Sequence, residues 1–375
     1  GKTTPRASFL YSDTFADRKV GFLISGAYTK RQLYEEGFSS VRWDNGASSG
    51  GFCSPQGTSP LNPTTTAANC GPAAQGVPRA ASTPELVDAY TRASSTSNFH
   101  PRLPRYGRLT HEQERLGVTG SVQLRPLSGT LLSLDLLYAK LEATRVENYL
   151  EALSFSRTLT QGGKPQTTVL QTQYAANGAL QYGKYNGVDL RVESRRDKLN
   201  TEFTQPMFTF EQQLGDALKL TVKAGKAQSR FRNPEQTTIT FDALNVNGYE
   251  IDFRGNDRLP LIKYPVDVTQ PGGTLGLVTV PQVASGTQPS SVPNTTTSEI
   301  RIRPQGTDNN VRLMSFALDW EAIPDVLTLR GGPDVKRYVS RTFEFRRVNQ
   351  NDTLFAAPGG ATAASLSSVL TGFGK

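Results

Sequence analysis

From Leu109 to Ala143 the chain reads "LTHEQERLGVTGSVQLRPLSGTLLSLDLLYAKLEA", and its apolar and polar residues alternate on both sides of the turn "PLSG". Leu116, Val118, Gly120, Val122 and Leu124 share one parity, while Arg115, Gly117, Thr119, Ser121, Gln123 and Arg125 share the other. A period of two is the signature of a strand with one apolar and one polar face. Beyond the turn, Leu132, Leu134, Leu136 and Tyr138 again oppose Ser133 and Asp135, so the two runs predict an antiparallel hairpin. The unit recurs. Val20, Phe22, Ile24 and Tyr28 follow the turn-like "SDTFADRK". Phe208 and Phe210 lead through "QLGD" to Leu218, Leu220 and Val222. Met314, Phe316, Leu318 and Trp320 run into "AIPD", and "VLTLRGG" departs from it.

Between these hairpins the connections are long. Residues 44–104, roughly 158–184 and roughly 234–309 are rich in Thr, Ser, Gly, Pro, Asn and Gln, and the last includes the nearly low-complexity "VASGTQPSSVPNTTTSE". Long and short connections alternate, which puts the long ones at one end of a sheet and the short turns at the other. Polar strand-like sequence also runs past the apolar residues, from Val20 to Trp43, Gly107 to Arg125 and Thr130 to about Phe155. Such strands exceed the usual five or six residues. A strand crossing a bilayer needs about ten residues with aromatics at the borders, where Tyr28, Tyr138 and Trp320 stand. The expected fold is therefore all-β: an antiparallel transmembrane β-barrel, here about eight strands of a larger one. Membrane strands close because lipid cannot satisfy an unpaired edge.

Composition agrees with a β membrane protein and excludes a helical one. Of 375 residues 36% are hydrophobic, with 34 Gly and 23 Pro, and no run approaches the length of a spanning helix. The net charge of +8 suits an anionic partner such as lipopolysaccharide phosphate. The basic residues are scattered rather than blocked, so nucleic acid is not the expected partner. Cys53 and Cys70, the two cysteines, lie in one Gly/Pro/Thr-rich stretch without a nearby His. A local disulfide is preferred over free thiols and would imply an oxidising compartment.

Catalytic and metal motifs are not found. His111 opens "HEQER", which lacks the second His of a zinc helix, and His100 has no acidic neighbour at ligand spacing. Glu35 and Glu36 point to opposite faces of a strand. With Val188, Leu190 and Val192 outward, "VDLRVESRRDK" puts Asp189, Arg191, Glu193, Arg195 and Asp197 on the inner face. These form either a charge ladder for a polar solute or neighbours that neutralise one another, the latter preferred. Gln113 and Arg115 also point inward. Phe99, His100, Tyr182, Tyr185 and Tyr249 are candidates for a ligand vestibule in the long connections, where aromatic faces stack on sugars or chelates.

Three segments, "GFLISGAYTKRQLYEEGFSSVRWDNG", "FHPRLPRYGRLTHEQERLGVTGSVQLRP" and the closing "SSVLTGFGK", resemble the barrel of TonB-dependent outer-membrane receptors, in the branch typical of Xanthomonas and Caulobacter. The resemblance spans residues 1–375. It implies a barrel of about 22 strands with a plugged lumen, long extracellular loops and short periplasmic turns. It also implies uptake of a scarce nutrient powered through the TonB system, without enzymatic chemistry or a cofactor. An oligosaccharide is slightly preferred over a ferric siderophore, on the habits of the branch. "GKTTPRASFL" has neither the apolar core nor the cleavage site of a signal peptide, and neither a TonB box nor a plug-like domain precedes the first hairpin. The chain is accordingly expected to be an interior piece of a receptor, with plug and both barrel ends absent. Rival readings are a passive outer-membrane channel and a soluble secreted β-rich adhesin or carbohydrate-binding domain. The soluble reading expects the apolar faces to be buried against a second sheet.

Overall fold

Four short turns set the architecture. In the computed structural model, which describes residues 4–47, 51–62, 67–70, 77–153, 167–266 and 300–346, each joins two long strands. The first hairpin is β1 (Arg6–Phe15) and β2 (Val20–Ser39). A long connection follows, with β3 (Trp43–Asn45), β4 (Asn69–Cys70), β5 (Val77–Pro78), α1 (Pro84–Ala93) and β6 (Phe99–Pro101). The second hairpin is β7 (Arg105–Leu124) and β8 (Thr130–Ala152), after which β9 (Thr168–Tyr174) and β10 (Leu180–Asn186) occupy the next connection. The third is β11 (Val188–Leu214) and β12 (Leu218–Asn233). The connection beyond it holds β13 (Thr237–Val246), β14 (Tyr249–Asp252), β15 (Leu261–Lys263) and β16 (Ile300–Ile302). The last hairpin pairs β17 (Gln305–Ile323) with β18 (Leu327–Gly331) and β19 (Asp334–Glu344). β18 and β19 follow one another along β17, interrupted at Gly332 and Pro333.

Turn chemistry explains these reversals. Gly129 and Gly215 take positive φ where the second and third turns bend back, and Asp325 does so in the fourth. The long strands then pair in the order β1-β2-β7-β8-β11-β12-β17-β18, all antiparallel. The alternation of short and long connections thus puts the four turns at one end of the sheet. The described residues do not close a barrel: β1 and the β18–β19 strand each pair on one side only.

The core lies at the other end. The three long connections, read from sequence as polar loops, fold together into a cap. A four-stranded sheet β15-β14-β10-β9, the ladders β3-β6 and β4-β5 and α1 make up most of it. Phe52, Tyr185, Val188, Leu190, Tyr249 and Ile251 are fully enclosed there, and Ala89 and Ala93 of α1 join the same cluster. Cys53 and Cys70 are disulfide-bonded, with Cα atoms 5.8 Å apart. Arg79, itself buried, donates from Nη1 to Ser54 O, Ser54 Oγ and Asn62 O, tying the stapled segment together. The segments "VASGTQPSSVPNTTTSE" and "SSVLTGFGK" lie outside the described residues.

The cap corrects one assignment of orientation. Val188, Leu190 and Val192 were expected to face outward, yet the first two are buried in the cap core and Val192 packs against it. Leu190 shares its face with the apolar residues near the turns, and the cap covers that face at the loop end.

Candidate functional site

Strand register turns the alternating residues into two continuous surfaces. On one face Val20 stands opposite Leu124, and the row continues through Leu132, Phe210 and Val222 to Phe316. The next row runs Phe22, Val122, Leu134, Phe208, Ala224, Met314 and Val335. None of these side chains is buried, and most are exposed, Leu134 at 56% and Met314 at 60%; Val20, Leu132, Phe210, Val222 and Ala224 are half-buried. Trp320 closes the band on the turn side, and Tyr28 and Tyr138 mark its other border. Among the described residues no second sheet or helix covers it. A contiguous apolar patch of this kind marks a surface that meets something other than water.

The opposite face is polar at the same level. Ser25 bonds Thr119, Ser121 and Ser133 donate to Asp135 at 2.6 and 2.9 Å, and Lys219 pairs with Glu211 at 2.7 Å. Toward the cap this face becomes a charge network. Asp197 is enclosed and accepts from Arg145 (2.9 Å) and from Asn233 Nδ2 (2.9 Å), with Arg195 Nε at 3.0 Å. Burial alone would raise its carboxyl. The hydrogen bonds from Asn233 and Arg195, the Arg195 charge and the bond from Arg145 outweigh that and hold it below the usual carboxylate range.

Of the ladder read from sequence, Arg195 and Asp197 pair with each other, and the other members face groups on neighbouring strands. Arg195 serves Asp197, and Arg301 lies 3.8 Å from Glu193. Asp189 accepts from the Asn245 backbone N–H at 2.9 Å, and buried Arg191 stands opposite Glu151, which also faces Arg105 at 3.8 Å. Gly107 leaves room for Tyr149, whose ring would meet any added Cβ and lies under Arg105 at 4.1 Å. Gln113 is half-buried and Arg115 exposed on this face, beside His111. Burial lowers the His111 imidazole, and the charges of Arg145, Arg115 and Arg31 lower it further.

The vestibule residues separate into two groups. His100, Tyr185 and Tyr249 are not at a surface. His100 is 1% exposed with its ring 5.1 Å from Phe52, and Tyr185 stacks on Phe52 at 6.0 Å. Burial lowers the His100 imidazole despite the nearby Pro101 carbonyl and the Asp44 charge, which pull the other way. A period-two pattern places these residues on the inner face of a cap strand, where aromatics pack as core. Phe99 and Tyr182 remain accessible. Arg254 lies 4.5 Å over the Tyr182 ring, and Glu250 accepts from its hydroxyl at 3.4 Å. The neighbours Lys184, Glu250, Asp252 and Arg254 were not singled out from sequence, because Glu250 reaches Tyr182 across 68 positions. Around Tyr182 the cap thus presents a polar, aromatic-bearing sheet face.

Comparison of the chain with family models, with curated proteins and with solved structures finds no match.

Proposed function

We propose that the eight long strands are part of the wall of an outer-membrane β-barrel whose apolar band meets lipid. The observation that carries this is the register-aligned band, open along its length, confined to one face and to the turn end. Its depth suits the reading: on β7 it runs from Leu116 to Leu124, about the nine to eleven residues a spanning strand needs. The opposite face would line a wet or plugged lumen, and the cap would stand on the extracellular side. On the resemblance of its hairpin segments, the barrel serves TonB-dependent uptake of a scarce nutrient in a Gram-negative cell. The accessible face around Tyr182 is where an oligosaccharide would first be held, by aromatic contact and by the polar groups beside it. The protein binds and passes its ligand and performs no covalent chemistry.

Fractionation of the source cells, with mass spectrometry locating these peptides, tests the reading. Peptides in the outer membrane, in a heat-modifiable band far larger than 40.8 kDa, are expected. Recovery in a soluble band of about that mass would overturn the lipid-facing assignment and favour a secreted β-domain.

A further inference from the structure

The apolar rows end at different levels across the sheet, at Tyr28 and Leu116 on β2 and β7 but already at Ala224, Met314 and Val335 on β12, β17 and β19, and the charges just beyond them differ. On β2, β7 and β8 they neutralise one another: Lys30 with Glu114 at 2.5 Å, Lys140 with Glu142 at 2.8 Å, and Arg108 with Glu36 at 2.9 Å. On β12, β17 and β19 three of them do not. Lys226 stands opposite Arg312 and Arg312 opposite Arg337, three cations in one row on neighbouring strands. All three are exposed, and none forms an ion pair with a described residue. Two rows higher, Arg230 and Arg341 flank Asp308, which Arg232 also binds at 2.8 Å. Asp308 is the only acid on this face of the three strands among the described residues.

Neighbouring strands lie about 4.8 Å apart, and like charges directly opposite one another destabilise a sheet. A row of three cations is therefore relieved by an anion shared among them. Guanidinium groups suit a phosphate, which accepts several charge-assisted hydrogen bonds at once. The row next to these cations is Ala224, Met314 and Val335, followed by Val222 and Phe316. An anion bound here would have apolar surface running directly away from it.

We propose that Lys226, Arg312 and Arg337 form a docking site for the phosphate headgroup of an anionic amphiphile, with its acyl chains along Val222, Ala224, Met314, Phe316 and Val335. The inference rests on the lipid-facing reading of the band and adds to it a preference for one headgroup charge at one sector of the wall.

Flotation of the full chain with phosphatidylcholine vesicles, with and without a share of phosphatidic acid, separates the two claims. Binding to neutral vesicles reports the band, and the gain from phosphatidic acid reports the cationic row. The gain is expected to be on the order of tenfold and to weaken with salt. In the triple variant Lys226→Gln, Arg312→Gln, Arg337→Gln it is lost while neutral binding stays. Lys226→Arg keeps the gain, as does the equal charge loss Arg18→Gln, Lys223→Gln, Arg258→Gln away from the row. Equal losses in both triple variants would overturn the site in favour of general charge attraction. Full competition by inorganic phosphate would overturn the amphiphile as its occupant. Failure to float with neutral vesicles would instead strike the band reading itself.

Discussion

The cap and the eight-strand sheet are written in the same alternating sequence and end in opposite states of burial. In the cap, the apolar side of each strand finds other protein: Tyr249 and Ile251 on β14 and Tyr185 on β10 have no exposed surface. In the sheet, Leu134 and Met314 stand more than half exposed in rows equally regular. Alternation specifies that a face is apolar and leaves open what covers it. In the cap, three connections converge and a disulfide staples one of them. In the sheet, neighbouring strands touch only edge to edge, and their apolar faces lie side by side.

The comparison breaks most sharply at Tyr249. Tyr249→Ala removes an enclosed ring, and large-to-small core changes of this kind cost about 3–5 kcal/mol. Leu134→Ala, chemically similar, should change denaturant stability in detergent by less than about 0.5 kcal/mol. Urea titration followed by tertiary-structure signals measures both, and equal losses would mean that the band is packed. Next in size is the staple. Replacing Cys53 and Cys70 by Ser reopens a loop of 17 residues and should destabilise the cap by roughly 3 kcal/mol. Limited proteolysis should then nick residues 51–70 first and leave the long hairpins intact.

A third change separates the two regions from the side of the wall. Leu134→Arg places a charge in the band and, if the band faces lipid as proposed, should lower stability in lipid by about 2 kcal/mol. The cap should melt unchanged. A cap that weakens in parallel would show that the band and the cap share one packed core.

How much of this was legible follows the same division. The turns "PLSG", "QLGD" and "AIPD" and the parity of Leu116–Leu124 carry their information locally, so the hairpins and both faces of the sheet could be read. The eight-strand path follows because each long strand pairs with the next. The cap could not be read this way. Tyr185 and Tyr249 lie on inner faces that exist only because β10 pairs with β14 across more than sixty residues. A tyrosine between polar residues looks like a surface aromatic until that pairing is known. The same holds for Arg191, whose cross-strand neighbour Glu151 belongs to another strand. One cap element did carry a local signal that polar composition obscured. "STPELVDAY" has a Thr cap, a Pro in the first turn and Glu behind it, the start of a helix.

His100 supplies a pH test confined to the cap. Burial lowers its imidazole in the folded chain relative to the unfolded one. Above the unfolded value of about 6.5 both states are neutral there and stability is unaffected. As pH falls below that value the unfolded chain takes up the proton first, and stability drops until the folded-state value is passed. The slope can reach at most about 1.4 kcal/mol per pH unit for one proton. Cap melting followed from pH 7.5 downward should show it in the wild type, and His100→Gln should flatten it. A slope that survives the substitution assigns it to another group, with His111 on the sheet the next to test.

The smallest expected effect is at the start of α1. Thr83 Oγ1 accepts from the Leu86 backbone N–H at 3.4 Å, Pro84 occupies the first helical turn without needing a donor, and Glu85 sits at the positive end of the helix. Thr83→Ala leaves that N–H without its side-chain acceptor and should cost about 1 kcal/mol. Thr83→Ser should cost almost nothing, because the hydroxyl remains. The loss should appear in the cap alone, since α1 packs its Ala89 and Ala93 into the cap core. Hydrogen exchange distinguishes the outcomes: amides of α1 and β9 should exchange faster in Thr83→Ala, while those of β7 and β8 near the turn keep wild-type protection. Faster exchange throughout β7 and β8 would mean that cap and wall unfold as one unit, and the division drawn between them would fail at its weakest point.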